Sequence, residues 1–274
     1  MNPYCIFINT TDSFEDCWLP FFKTFSAYWP DFNGTIFLNT EKKDFGFENL
    51  NIVSVKNANN NSCTATWSAC LLNGLQKVGS EILLYMQEDY FLRAPVDNKL
   101  IHDHALLMLD EDIDCIHLTD QHSAGPFKPS PYPGLWMLSK NADHRISCQA
   151  ALWKKDILIK YIRAHENPWQ FELYGTLRAR CMDHKFYTVN LNRHKLHCKE
   201  IIPYIFTGVI QGKWYEEVIE LFAQHHIEID FSGRGFITDK ERFALLPRIK
   251  RKMKDINAKS ILEIFKMKLS GSPQ

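Results

Sequence analysis

An apolar run over residues 82–86 ends at two adjacent acidic residues, Glu88 and Asp89, and this transition limits the possible folds more than any other feature of the chain. Strands that are buried on both faces have near-continuous apolar sequences, so the run predicts an inner strand of an α/β sheet. In open sheets of this class, ligands bind beyond the carboxyl ends of the strands. An aspartate at that position can hold a divalent cation against phosphate oxygens. A strand that ends in a solvated acidic turn is the alternative.

The rest of the chain also favours an α/β fold, because strand patterns alternate with helical periodicity in its first half. The 274 residues, 45% of them hydrophobic and 23% charged, are enough for one main domain with a sizeable core. Helices are predicted after a cap at Ser13, after Asn167-Pro168, and over residues 66–78, 98–109 and 154–165. Strands are predicted at residues 4–9, 35–38, 52–55, 82–86, 114–118, 146–153 and 186–189. The mixed order of the second half predicts antiparallel additions to the sheet.

The charge of the chain is concentrated at its end. The sequence has no net charge, but residues 239–274 contain ten Lys or Arg and four acidic residues, a net charge of +6. We therefore predict a main domain over residues 1–238 and a basic helical appendage over residues 239–274. In the appendage, Lys259, Lys266 and Lys268 border an apolar helical face made of Ile256, Ile261, Ile264, Phe265 and Leu269.

This amphipathic pattern predicts a helix that binds an anionic membrane surface, with packing on the main domain as the alternative. The acidic main domain argues against a general nucleic-acid partner.

The first ten residues lack the basic start and long apolar core of a signal peptide, and no apolar run is long enough to span a bilayer. The eight cysteines form no CxxC pair and are expected to be reduced. The sequence thus predicts a cytoplasmic protein that is peripheral on the membrane.

Three short motifs follow the predicted elements in a familiar order. Residues 9–13 (NTTDS) follow the first strand, residues 87–90 (QEDY) follow the fourth, and residues 167–172 (NPWQFE) begin a helix. In this order the chain resembles the GT-A glycosyltransferases, and it looks similar to members from bacterial surface-polysaccharide clusters that build lipopolysaccharide or capsule. The resemblance covers about residues 4–200. It implies a GT-A-like, Rossmann-related mixed sheet flanked by helices, and the basic helical tail predicted from the charge pattern lies beyond it.

The resemblance also implies a donor site for a nucleoside diphosphate sugar. Thr10 and Asp12 lie where the family binds the nucleotide. Asp89 matches the direct ligand of Mn²⁺ or Mg²⁺, and Glu88 would orient a water molecule or the donor ribose. The family's motif has a second acid where this chain has Tyr90. His197, in preference to His194, lies near the place where some relatives have a further metal-binding histidine.

The same resemblance implies catalytic and sugar-binding roles in the second half of the chain. Glu172 would be the general base of an inverting transfer, with Trp169 and Phe171 stacking on the sugar, and Glu166 is the competing base. Gln149 lies where the family contacts the donor sugar. Arg178, with Arg180, would stabilise the departing diphosphate if a cation does not. The alternative for each arginine is an ordinary solvated helix charge.

These expectations describe a glycosyltransferase that moves a sugar from a nucleoside diphosphate to a hydroxyl of a glycan or of a lipid-linked glycan. A sugar nucleotidyltransferase is the second possibility, although residues 9–13 lack a glycine-rich, basic triphosphate loop. A non-catalytic nucleotide- or glycan-binding protein is the third, and Tyr90 in place of an acid favours it.

Overall fold

The computed structural model describes residues 2–57, 66–120, 125–243 and 256–270. The strands of these residues are β1 (Tyr4–Asn9), β2 (Thr35–Asn39), β3 (Asn51–Ser54), β4 (Ile82–Gln87), β5 (Cys115–His117), β6 (Phe127–Pro129), β7 (Leu135–Leu138), β8 (Ala151–Lys154), β9 (Phe186–Val189), β10 (Val209–Ile210) and β11 (Lys213–Trp214). The helices are α1 (Glu15–Tyr28), α2 (Trp67–Gln76), α3 (Asn98–Asp110), α4 (Lys155–Tyr161), α5 (Pro168–Ala179), α6 (Glu217–Gln224), α7 (Asp239–Phe243) and α8 (Ala258–Ser270).

A mixed nine-stranded sheet organises this part of the chain, with the strand order β3-β2-β1-β4-β8-β5-β9-β7-β6. β1 pairs in parallel with β2 and β4, whereas β8 runs antiparallel between β4 and β5. The predicted α/β class is thereby confirmed. Asn9 pairs with Gln87 in the parallel register of β1 and β4. The residues that follow these two strands therefore emerge at the same edge of the sheet.

Helices cover both faces of the sheet, as the alternation of side chains along β1 shows. Ile6 and Ile8 belong to one apolar core with Trp18 of α1, and Cys5 and Phe7 belong to a second core with residues of α2, α4 and α5. Residues 82–86 of β4 are at most 2% exposed. Because β4 is buried on both faces, its sequence is apolar without alternation.

The strand predicted over residues 146–153 begins only at Ala151. Residues 146–150 are buried, but three of their N–H groups are satisfied by side chains from distant residues instead of by a neighbouring strand. These donors and acceptors are Ile146 N–H to Thr176 Oγ1 (3.1 Å), Cys148 N–H to Glu172 Oε1 (2.7 Å) and Ala150 N–H to the Tyr204 hydroxyl (3.3 Å). The side chains that replace the ladder come from distant parts of the chain, so the apolar pattern alone predicted too long a strand.

Two helix boundaries also differ from the prediction. α1 begins at Glu15 after a 3-10 turn over Asp12–Phe14, and the Ser13 hydroxyl bonds the Thr11 hydroxyl (2.6 Å) instead of capping the helix. α4 ends at Tyr161 and not at residue 165. The start of α5 is as predicted, since Asn167 and Gln170 form a reciprocal capping box and Pro168 occupies the first turn.

The tail helix α8 packs on α5 and on the residues just before it through polar and apolar contacts. Ser260 donates to Glu166 Oε1 (2.6 Å), Glu263 bonds Arg163 Nε (2.8 Å), and Ile264 is buried. The residues on its outer side are exposed and apolar: Ile261, Leu262, Phe265 and Leu269. The helix thus uses one face for the main body and leaves another uncovered within the described residues. The division at residue 238 stays a prediction. None of the described helices combines the length and apolarity needed to cross a bilayer.

Candidate active site

A pocket of about 540 Å³ opens at the carboxyl edge of β1 and β4. The ends of β1 and β4, the segment before β8, and helices α2 and α5 form it together with residues 206–212. The lining residues are Asn9, Thr10, Thr11 and Phe14 from the end of β1 and the segment after it; Gln87, Glu88, Asp89 and Tyr90 from the end of β4 and the segment after it; Cys148 and Gln149 before β8; Trp67, Pro168, Trp169 and Glu172 from α2 and α5; and Phe206, Thr207, Val209, Ile210, Gln211 and Gly212. The pocket lies where ligands bind in open α/β sheets.

Glu88 and Asp89 are both nearly buried at the base of this pocket. Burial, followed by the repulsion of Asp89, raises the pKa of Glu88 well above the ordinary carboxyl value. Burial also raises the pKa of Asp89, although the hydroxyl of Thr207 and the N–H of Val209 oppose this by stabilising its charged form. Two adjacent carboxylates in one enclosed pocket are a suitable partner for a divalent cation.

Tyr90 occupies the place of the expected second acid, and its side chain has a defined structural role. Its hydroxyl donates to the carbonyl oxygen of Cys148 (3.0 Å), and its ring stacks on that of Tyr204 at a centroid distance of 4.8 Å. Gln149 belongs to the same network: its Nε2 donates to the Tyr90 hydroxyl (3.1 Å) and its Oε1 accepts from the Tyr204 hydroxyl (2.8 Å). Gln149 therefore lines the pocket, but the nitrogen and the oxygen of its side-chain amide are both hydrogen-bonded to tyrosine hydroxyls.

Glu172 projects into the pocket from α5, and burial raises its pKa. The N–H of Cys148 and the side chain of Ser147 oppose the shift. Of the two aromatic neighbours expected to stack on a sugar, only Trp169 lines the pocket, and it is 52% exposed. Phe171 is buried and packs against the ring of Trp67 (5.7 Å). The helical period separates them, since residues two apart point to opposite sides of α5.

Of the two residues after β1 that were expected to bind the nucleotide, Thr10 and Asp12, one lines the pocket. Thr10 lines the pocket, and its hydroxyl accepts from Trp18 Nε1 (2.9 Å). Asp12 lies outside the lining residues. Its carboxylate accepts the backbone N–H groups of residues that follow β2, namely Glu41 (2.9 Å), Lys42 (3.0 Å) and Lys43 (3.3 Å). Asp12 therefore joins two loops at the edge of the sheet.

Arg178, predicted to contact the diphosphate, lies in the interior and outside the pocket lining. Its guanidinium donates to both oxygens of Glu166 (2.7 and 2.6 Å) and to the carbonyl oxygen of Tyr161 (2.7 Å), and it has no exposed surface. Arg178 lies six residues after Glu172 on α5, so it points to another side of the helix, about 9 Å further along the axis. Glu166, the competing candidate for the base, is buried in the same ion pair.

His197 also lies outside the pocket lining. It follows Leu196 in a tight turn with a φ of 60°, and its N–H donates to Glu200 Oε2 (3.1 Å). His194 bonds the carbonyl oxygen of Lys199 through its Nδ1 (2.8 Å). In residues 2–57, 66–120, 125–243 and 256–270, no three His, Cys, Asp or Glu side chains cluster closely enough to hold a metal ion by themselves. The structure therefore does not unite Asp89 and His197 in one ligand set.

Sequence reasoning missed the pocket wall of residues 206–212. Two short strands, β10 and β11, form an antiparallel hairpin whose turn contains Gln211 (φ 55°) and Gly212 (φ 80°). A residue pair ending in Gly between two short strand-forming segments, here Val209-Ile210 and Lys213-Trp214, is a recognisable hairpin signal. That signal predicts the turn, but it does not show that the segment returns to β4.

Solved structures of other proteins are similar to this fold, although no sequence match accompanies them. No family model matches the chain, and no curated protein matches it by sequence. S. aureus TarS 1-349 in complex with UDP-GlcNAc has a TM-score of 0.50 at 12% identity, over 83% of this chain and 67% of that one. A UDP-glucose pyrophosphorylase complexed with UDP-glucose has a TM-score of 0.45 at 9% identity, over 69% of this chain and 90% of that one.

For the TarS 1-349 structure without a named ligand, the match spans 66% of the TarS chain. Structural similarity at such low identity is evidence about the fold alone. Together with the nine-stranded mixed sheet, the similarity to TarS shows that the chain has a GT-A-like fold of the kind found in nucleotide-sugar transferases.

Proposed function

We propose that the protein is a glycosyltransferase that moves a sugar from a nucleoside diphosphate to a hydroxyl group of a glycan. The observation that carries this proposal is the meeting of Glu88, Asp89 and Glu172 in one pocket at the carboxyl edge of β1 and β4. A transfer of this kind needs stabilisation of the leaving diphosphate on one side and a proton acceptor on the other. The carboxylates that follow β4 would act on the diphosphate through a bound cation, and Glu172 of α5 would be the proton acceptor.

The donor nucleotide is assigned to the part of the pocket formed by the loop after β1, including Thr10 and Thr11. The similar structure of S. aureus TarS 1-349 is a complex with UDP-GlcNAc, which makes uridine nucleotides the first donors to test. Glu88 would hold Mn²⁺ or Mg²⁺ beside Asp89, where the cation would offset the repulsion between the two carboxylates and supply positive charge at the diphosphate. Arg178 and His197 lie outside the pocket lining, so we assign them no role in binding the diphosphate or the cation.

Glu172 is proposed as the general base. It would take the proton of the acceptor hydroxyl while the hydroxyl oxygen bonds the anomeric carbon and the bond from that carbon to the diphosphate oxygen breaks. A single displacement of this kind inverts the anomeric centre. The raised pKa of Glu172 strengthens it as a base, provided that it is ionised at the working pH.

The acceptor side of the pocket has two exposed aromatic side chains, Trp169 and Phe206. Aromatic rings provide flat apolar surfaces on which a sugar ring stacks. We propose a glycan acceptor, attached to a lipid during assembly of a bacterial surface polysaccharide. The exposed apolar side of α8, bordered by Lys259, Lys266 and Lys268, would hold the enzyme on the cytoplasmic surface of an anionic membrane.

The decisive experiment incubates the protein with a panel of nucleotide sugars and glycan acceptors, with and without Mn²⁺, and measures release of nucleoside diphosphate. Transfer that requires Glu172 supports the proposal. Pyrophosphate release from a nucleoside triphosphate and a sugar 1-phosphate would identify a nucleotidyltransferase instead. Binding of nucleotide or glycan without turnover would identify the non-catalytic alternative.

A further inference from the structure

The pocket wall of residues 206–212 is attached to the end of β4 through Asp89. The Asp89 Oδ2 atom accepts the Thr207 hydroxyl (2.6 Å) and the Val209 N–H (3.2 Å). The backbone takes part as well, since Gly208 N–H donates to the carbonyl oxygen of Asp89 (2.9 Å). Three consecutive residues of the wall therefore bond one residue of β4's acidic end.

The chain before the wall continues this contact along the residues after β4. Ile205 N–H donates to the carbonyl oxygen of Phe91 (2.9 Å), and Leu92 forms an antiparallel bridge with Tyr204. Gly208 lies against the same segment: an added Cβ would come within 2.1 Å of the Phe91 ring and 3.1 Å of the Asp89 carbonyl oxygen. A side chain at residue 208 would thus displace the wall from β4.

Both acidic residues line the pocket, but the hydrogen bonds to the wall are made by Asp89. The Asp89 carboxylate is committed to the wall through Oδ2, and a hydroxyl donor at 2.6 Å to a carboxylate is a short, charge-assisted hydrogen bond. The wall carries Phe206, Ile210 and Gln211 into the cavity, so its register relative to β4 sets the shape of the ligand site.

We propose that Asp89 is a positioning residue, whose carboxylate holds the wall of residues 206–212 in the register that the nucleotide sugar requires, and that Glu88 is the carboxylate offered to the ligand. This inference rests on the proposed function for the identity of the ligand. The tether itself is a property of the free protein. It can therefore be tested without any substrate.

Hydrogen exchange of the ligand-free protein tests the tether, and Thr207 allows a matched pair of variants. Thr207→Val keeps the shape and removes the donor, whereas Thr207→Ser keeps the hydroxyl. We expect exchange at the amides of residues 206–210 to rise about tenfold or more in Thr207→Val and in Asp89→Asn, because local opening no longer breaks the charge-assisted bond. Exchange should stay at the wild-type rate in Thr207→Ser and Glu88→Gln, and β4 amides should be unaffected in all four.

Titration with UDP in the presence of Mn²⁺ then separates the roles of the two carboxylates. Thr207→Val should weaken binding, Thr207→Ser should restore it, and Glu88→Gln should remove its dependence on Mn²⁺. Wild-type exchange rates in Thr207→Val would overturn the tether, whatever the protein binds. Faster exchange with unchanged UDP affinity in Thr207→Val would overturn the positioning role. Failure of the wild-type protein to bind any nucleotide would instead count against the proposed function.

Discussion

The carboxylate of Glu172 accepts the backbone N–H of Cys148 at 2.7 Å, which joins α5 to the irregular segment before β8 on the wall of the pocket. This bond fixes the direction of the side chain, because α5 is itself held at its start by the Asn167–Gln170 capping box. A rigidly placed carboxylate with a raised pKa is what a general base requires. The first two predictions concern this residue.

Glu172→Gln keeps an oxygen that can accept the Cys148 N–H but removes the base. We expect kcat to fall by roughly 10² to 10⁴, with UDP affinity unchanged, because the donor subsite is formed by other residues. Steady-state transfer assays and nucleotide titration measure the two quantities. An equal loss of donor affinity and rate would indicate that Glu172 maintains the pocket and does not act as the base.

The pH dependence of transfer should report the ionisation of Glu172. A base acts only when it is deprotonated, and burial raises the pKa of Glu172 above the ordinary carboxyl value. The rate should therefore rise tenfold for each pH unit below that raised pKa and level off above it. Single-turnover transfer measured across the acidic and neutral range tests this. A rate independent of pH over that range, or one that falls as pH rises through it, would contradict the assignment.

Arg178→Met should lower stability and leave nucleotide binding intact. The substitution leaves Glu166 as a buried carboxylate without its bidentate partner, which costs about 3–5 kcal/mol in the free energy of unfolding. Arg180→Met is the control, because Arg180 bonds Asp143 at the surface (2.8 Å) and should contribute at most about 1 kcal/mol. Urea unfolding and UDP titration measure both effects. Unchanged stability with reduced UDP affinity would show that Arg178 acts on the phosphates after all.

Membrane binding by α8 should depend on its exposed face. Phe265→Ser combined with Lys266→Glu removes an exposed apolar side chain and reverses a charge, each of which weakens attachment to an anionic surface. The packed side of α8, which contains Ser260 and Ile264, is untouched. In a flotation gradient at low salt, we expect wild-type protein to rise with phosphatidylglycerol vesicles and the variant to remain in the dense bottom fraction.

Ile219→Ser is the matched control for membrane binding, since Ile219 is an exposed apolar residue of α6. This control should float like the wild type. The membrane proposal is wrong if wild-type protein does not float at low salt, or if the α8 variant floats equally well. Deleting residues 239–274 would be a poorer test, because it removes Ser260 and Glu263 from their contacts with Glu166 and Arg163.

The class of fold was predictable because the relevant signals are local. An inner strand is buried on both faces and is therefore apolar along its length, and the apolar run at residues 82–86 shows this pattern in the sequence. The position of Glu88 and Asp89 at the pocket follows from the same strand. The start of α5 was also predictable from the sequence. Asn167 and Gln170, three residues apart, cap each other's backbone N–H groups, and Pro168 occupies the first turn.

The roles of individual polar residues were decided by tertiary structure. Asp12 and Asp89 lie within the expected motifs and Arg178 lies shortly after one, yet each bonds a partner elsewhere in the sequence. These partners are residues 41–43 for Asp12, Thr207 of the wall for Asp89 and Glu166 for Arg178. A carboxylate or guanidinium has the same hydrogen-bonding capacity wherever it lies. Which group uses that capacity in the interior and which offers it to a ligand depends on the elements that folding brings beside it. The sequence therefore determined where the pocket forms, and only the packed chain determined which charges face it.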